Sequence, residues 1–105
     1  MRVTWSPQAD AQVDAAVAHI AADNPAAALE WLERLLSRVR SLAQFPDSGH
    51  VVPELRREDV REILVSPYRV VYRRSADQVE IAAVRHGARA LDADEVALRG
   101  GALSE

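Results

Sequence analysis

Asn24-Pro25 constrains this chain more than any other pair of residues. Apolar residues recur at helical spacing on both sides of it: Ala9, Val13, Ala16, Val17 and Ile20 before, and Ala28, Trp31, Leu32, Leu35, Leu36, Val39 and Leu42 after. Proline has no backbone N–H, and its ring clashes with the carbonyl four residues back. The first helix therefore cannot run through position 25. The same proline suits the first position of a new helix, and Asn24 is a good cap for it. Two helices with almost no loop between them must fold back as an antiparallel hairpin. Ser6-Pro7 repeats the start signal for the first helix. Pro46 stops the second, which predicts about twenty residues and roughly 30 Å of helix.

The rest of the pattern belongs to strands. Residues 2–5 (RVTW) alternate, and β-prone runs follow at 60–65 (VREILV), 68–74 (YRVVYRR) and 79–84 (VEIAAV). The gaps at Ser66-Pro67 and at Ser75 to Gln78 are short enough to force antiparallel hairpins. Residues 46–50 (PDSGH) read as a turn, 51–59 (VVPELRRED) as an irregular connector, and 91–100 as a possible short C-terminal helix. The order is β-α-α-β-β-β. It predicts an α+β fold with an N-terminal strand, a helical hairpin and a three-stranded antiparallel meander, in one domain over 1–105 with its core in 2–90. The hairpin covers one face of this sheet, and nothing assigned covers the other. Period two then sets Tyr68, Val70 and Tyr72 beneath the helices. Arg69, Val71 and Arg73 fall on the open face, where the two arginines form a small cationic row. Trp5, Trp31 and Phe45 lie on apolar stripes and are expected in the core.

Charge narrows the function. The net charge is −3, which argues against a general nucleic-acid binder. It is unevenly spread: residues 1–55 carry four Arg and seven acids, 56–89 eight Arg and five acids, and 90–105 one Arg and four acids. All 13 basic residues are arginine, so any cationic site must use planar guanidinium forks. There is no cysteine, and His19, His50 and His86 are scattered, so neither a metal site nor a cofactor is expected. No apolar run reaches the roughly 18 residues of a membrane span, and the first residues do not form a signal peptide; a cytoplasmic location is the simplest expectation. No serine-centred motif, glycine-rich phosphate loop or HExxH is present.

The stretches DNPAAALEWLERLLSRVRSLAQFPDSGHVVPEL, REILVSPYRVVYR and VRHGAR, in this order across about residues 2–90, resemble the RelE/ParE superfamily of bacterial type II toxins. The long hairpin and the HGAR ending are closer to the ParE-like branch. The resemblance implies a toxin that arrests growth and is neutralised by a cognate antitoxin, with DNA reached only through that antitoxin. It implies one of two targets, DNA gyrase or the ribosome with its mRNA, and gyrase inhibition is the leading expectation. An inactive module that still binds antitoxin is the third reading.

If the chain is an enzyme, the resemblance makes it a metal-independent mRNA interferase. Arg69 matches the arginine that ribosome-dependent members use on phosphate, Arg61 and Arg89 would be its neighbours, and His86 would be an acid or base. The lysine pair before YRVVY and the tyrosine after the last strand are absent. For antitoxin binding, the apolar stripe of Leu32, Leu35, Leu36 and Val39 and the cationic Arg69 and Arg89 are the candidates. The partner would occupy a groove beside the helices or add a strand at a sheet edge. A plainer reading also stands, in which Arg69 and Arg73 pair with Glu62 and Glu80 across strands and His86 is a hydrogen-bonded structural residue.

Overall fold

The computed structural model describes residues 1–87. Its elements are β1 (Arg2–Trp5), α1 (Pro7–Asp23), α2 (Pro25–Ser41), β2 (His50–Val51), β3 (Val60–Val65), β4 (Tyr68–Arg74) and β5 (Gln78–His86). The expected α+β order is present, and the suggested helix over 91–100 lies outside the described residues.

Both helices begin where the sequence places them. The Ser6 hydroxyl accepts from the Ala9 N–H at 3.0 Å and donates to the Ala82 carbonyl at 3.1 Å, so one buried side chain caps α1 and ties it to β5. Asn24 caps α2 by accepting from the Ala27 N–H at 3.1 Å. The C-terminus of α2 differs from expectation. The helix ends at Ser41, and a run of turns rather than further helix carries the chain to Pro46. Phe45 consequently leaves the apolar stripe and is exposed, which corrects its expected place in the core.

The sheet has five strands in the order β1-β5-β4-β3-β2. The meander β3-β4-β5 is antiparallel as expected, and β1 lies parallel to β5. Residues 50–51, expected as turn and connector, form a short outer strand on β3 through His50↔Glu62 and Val51↔Arg61. In β5 an extra residue, Ala82, sits between the pairs Tyr72↔Ile81 and Val71↔Ala83. This bulge re-phases the strand, so Val79, Ile81 and Val84 all reach the core beneath the hairpin.

That core holds Trp31, Leu35, Val39, Leu42, Ile63, Val65, Val70 and Tyr72, with Trp5 packed at its margin. The Trp31 indole N–H donates to the Val65 carbonyl at 2.9 Å and fixes α2 against the end of β3. The opposite face is not open. Val52, Val60, Val71, Ala82 and Ala83 form a second buried cluster with Leu55 packed on it. Val71 explains why: it shares the face of Arg69 and Arg73, and an apolar side chain there drives residues 52–55 to fold back over it.

Candidate functional site

Arg69 occupies the middle of this second face, but not as an exposed cation. Its Nε donates to the Glu62 carboxylate, and its two terminal nitrogens donate to the two Glu54 oxygens at 3.0 and 3.1 Å. Only 13 % of the side chain is exposed. The bidentate bond to Glu54 and the bond to Glu62 hold the guanidinium charged, above the usual arginine range, against the opposing effect of burial. Glu62 was expected from cross-strand pairing. Glu54 comes from the 52–59 connector and had no signal in the sequence, because its approach depends on how that connector folds back.

The structure separates the expected catalytic cluster. Arg61 pairs with Tyr72 in the sheet register and stands on the hairpin side, whereas Arg69 pairs with Arg85 on the other side. His86 lies opposite Tyr68, edge-on to its ring with centroids 5.6 Å apart, and so also faces away from Arg69. Tyr68 and Tyr72 are four residues apart on β4, about 13 Å at the usual strand rise, so Arg61 and His86 do not meet either. Arg89 lies outside the described residues. Arg73 lies opposite the buried Glu80, the partner expected of it. The residue sequence reasoning missed on this face is His50, which joins Glu62, Leu64, Arg69 and Gly87 around a cleft of about 330 Å³. Pairing of so short a strand as β2 carries no periodic signal.

Arg61 is held from several sides. Its guanidinium donates to the Gly49 and Glu58 carbonyls at 3.0 and 3.1 Å. The neighbouring Tyr72 hydroxyl donates to the Pro46 carbonyl at 2.7 Å and accepts from the Gly49 N–H at 3.0 Å. A Cβ at position 49 would stand 2.7 Å from both the Glu62 carbonyl oxygen and the Tyr72 hydroxyl, so this close approach requires glycine. Burial pushes the Tyr72 phenol above its ordinary value.

The apolar stripe of α2 divides by burial. Leu35 and Val39 are in the core, which corrects their expected role as docking residues: neither can reach a partner while the chain is folded. Leu32 is half-buried and Leu36 exposed. A groove of about 390 Å³ runs between α2 and β3, lined by Glu33, Arg34, Ser37, Arg38, Leu64 and Val65 among others. It exists because β2 pairs with Arg61 and Glu62, and among the described residues no strand lies beside β3 at 63–65 on that side. Arginines cover that edge: Arg38 donates to the Leu64 carbonyl at 3.3 Å and Arg34 to the Ser66 carbonyl at 3.1 Å. The Leu64 side chain beside them is 59 % exposed.

Among the described residues no His, Asp or Glu cluster is arranged to hold a metal ion, and no helix is long and apolar enough to cross a membrane. The family model for the ParE toxin of the type II toxin–antitoxin system parDE matches residues 3–91. The Sinorhizobium fredii (strain NBRC 101917 / NGR234) protein named "Putative toxin Y4kP" is 36 % identical over 87 residues, covering 81 % of this chain and 86 % of that protein. A solved structure titled "Chromosomal ParDE TA system from P. aeruginosa" matches with a TM-score of 0.67 at 22 % identity, over 82 % of this chain and 95 % of the other, and shows the same fold.

Proposed function

The chain belongs to the ParE family of type II toxins, and from that premise we propose that it arrests growth by inhibiting DNA gyrase and is neutralised by a cognate antitoxin. The observation that carries the choice of target is the state of Arg69. An arginine that stabilises a scissile phosphate must present its fork to that phosphate. Here Glu54 and Glu62 occupy the fork, and Arg61 and His86 face elsewhere. Inhibition by binding needs no such constellation.

The competing reading, ribosome-dependent mRNA cleavage, has the cleft shared by His50 and Arg69 in its favour. It requires Arg69 to leave two carboxylates for each turnover. Expression of the chain alone in a bacterial host separates the two. The gyrase reading expects filamentation, an induced DNA-damage response and accumulating cleaved DNA–gyrase complexes. Codon-positioned cuts in mRNA with rapid translation arrest overturn it in favour of cleavage. Normal growth at confirmed expression of folded protein overturns both and leaves an antitoxin-binding module.

For the antitoxin, the groove between α2 and β3 is the proposed seat. An extended segment can pair with the β3 edge at 63–65, which no described strand covers, while its apolar side chains cover Leu64, the strand-addition mode. Arg34 and Arg38 leave the edge carbonyls and meet acidic groups on the segment. Leu64→Glu puts a carboxylate at the centre of that contact. It should weaken antitoxin binding by roughly a hundredfold in calorimetry, with an unchanged circular dichroism spectrum. Equal affinity would remove the groove from consideration.

A further inference from the structure

Where the 46–49 turn meets the end of β4, Asp47, Glu58, Asp59, Arg61 and Arg74 line an open cleft of about 420 Å³. Two guanidinium groups converge there on one carboxylate. One terminal nitrogen of Arg74, Nη1, donates to both Asp47 oxygens at 2.9 and 3.0 Å, and the Arg61 Nε stands 3.7 Å from one of them. The parts are unequally secured. Backbone carbonyls of Gly49 and Glu58 hold Arg61, which is 19 % exposed, while the Asp47 side chain is 57 % exposed. Among the described residues the buried Arg74 Nε has no hydrogen-bond acceptor.

We propose that this corner is a socket for an aspartate or glutamate side chain of a partner protein, with Asp47 as its displaceable internal occupant. An incoming carboxylate satisfies the same two guanidinium groups, so the exchange leaves no charge unpaired in the cleft, and the exposed Asp47 turns into solvent. Local charge selects a single carboxylate over a nucleic-acid backbone. Asp59 is already paired with Arg57 at 2.8 Å. Arg57, Arg61 and Arg74 balance Asp47, Glu58 and Asp59, so the corner is neutral on a chain of net charge −3. A polyanion gains no field there, whereas one well-placed carboxylate gains directed hydrogen bonds. The socket stands on the opposite side of the sheet from Arg69, and it holds whichever target the toxin has.

The test follows the Arg61 and Arg74 Nε–Hε cross-peaks in NMR spectra of the labelled chain, with the Arg61 peak as the reporter in Arg74→Gln. Titrants are the blocked peptide acetyl-Gly-Glu-Gly-amide, inorganic phosphate and a short single-stranded RNA. Wild type should bind the peptide saturably at roughly millimolar concentration, and Asp47→Asn roughly tenfold more tightly because its internal competitor has lost its charge. Arg74→Gln should lose peptide binding while the Gly49 amide peak, which reports the turn, stays in place. The wild-type titration decides alone if Asp47→Asn fails to fold. The proposal is overturned if the peptide produces no saturable shift in wild type, if folded Asp47→Asn binds it no more tightly, if Arg74→Gln binds it equally, or if phosphate or RNA saturates the site and the peptide does not.

Discussion

Tyr72 and Arg69 stand three residues apart on β4 and face opposite ways, and they represent two means of closing a sheet. Beneath the hairpin, Tyr72 is one member of a continuous apolar core, and its hydroxyl alone reaches the edge to hold the 46–49 turn. On the other face a thin cluster around Val71 is covered by a connector, and beside it Arg69 is bound by Glu54 from that connector and Glu62 from the sheet. The first face is sealed by area removed from water and the second by a small apolar patch with an ion-pair clamp at its border. Burial of area is nondirectional and tolerant of sequence change of similar volume, whereas a clamp depends on all its members at once.

Substitutions should sharpen this contrast. The largest loss is expected for Leu35→Ala, which empties part of the hairpin-side core and should cost about 3 kcal/mol in urea unfolding; Val71→Ala on the thinner face should cost roughly 2. A larger loss at Val71 than at Leu35 would break the ranking of the two faces. Next comes Arg69→Ala, which leaves two partly buried carboxylates facing an empty site and should cost about 2 kcal/mol. The pair Arg69→Met with Glu62→Leu should recover most of that. If it does not, the clamp is more than a border of mutually dependent charges.

Tyr72→Phe follows at about 1.5 kcal/mol, because the Gly49 N–H and the Pro46 carbonyl lose their partner. This residue also carries a pH signature. Burial raises the folded phenol above the unfolded value of about 10, so the folded chain holds that proton more tightly. The resulting stabilisation is complete below pH about 10 and disappears as pH rises through the folded value. Wild type should therefore lose stability over that window more steeply than Tyr72→Phe, which equilibrium unfolding at a series of alkaline pH values will read. The smallest effect belongs to Phe45→Ser, within about 0.5 kcal/mol, since the ring is 61 % exposed and joins neither core.

Local signals fixed the backbone plan. Ser6-Pro7 and Asn24-Pro25 mark both helix starts because capping and the missing proline N–H act within a few residues of chain. Alternation through 68–74 placed Tyr68, Val70 and Tyr72 under the hairpin, since side chains in a strand have no other choice of face. The same alternation already separated Arg61 from Glu62. Which of them would share a face with Arg69 depended on the pairing of β3 with β4, and that register set Arg61 opposite Tyr72, away from Arg69.

Tertiary structure decided what no local signal encodes. The parallel seat of β1 on β5, the two-residue strand β2 and the extra residue Ala82 all arise from pairing between segments distant in the chain. Residues 52–55 have no periodicity, and only the need to cover Val71 draws them over the sheet, bringing Glu54 to Arg69. Sequence by itself thus determined both helix starts, the four longer strands, their order and the resemblance to a toxin family, because those rest on short-range chemistry. Only the fold decided that Arg69 is clamped and that Leu35 and Val39 are core. It also gathered Asp47, Arg61 and Arg74 at one corner, because contacts between distant segments exist only once the backbone has closed.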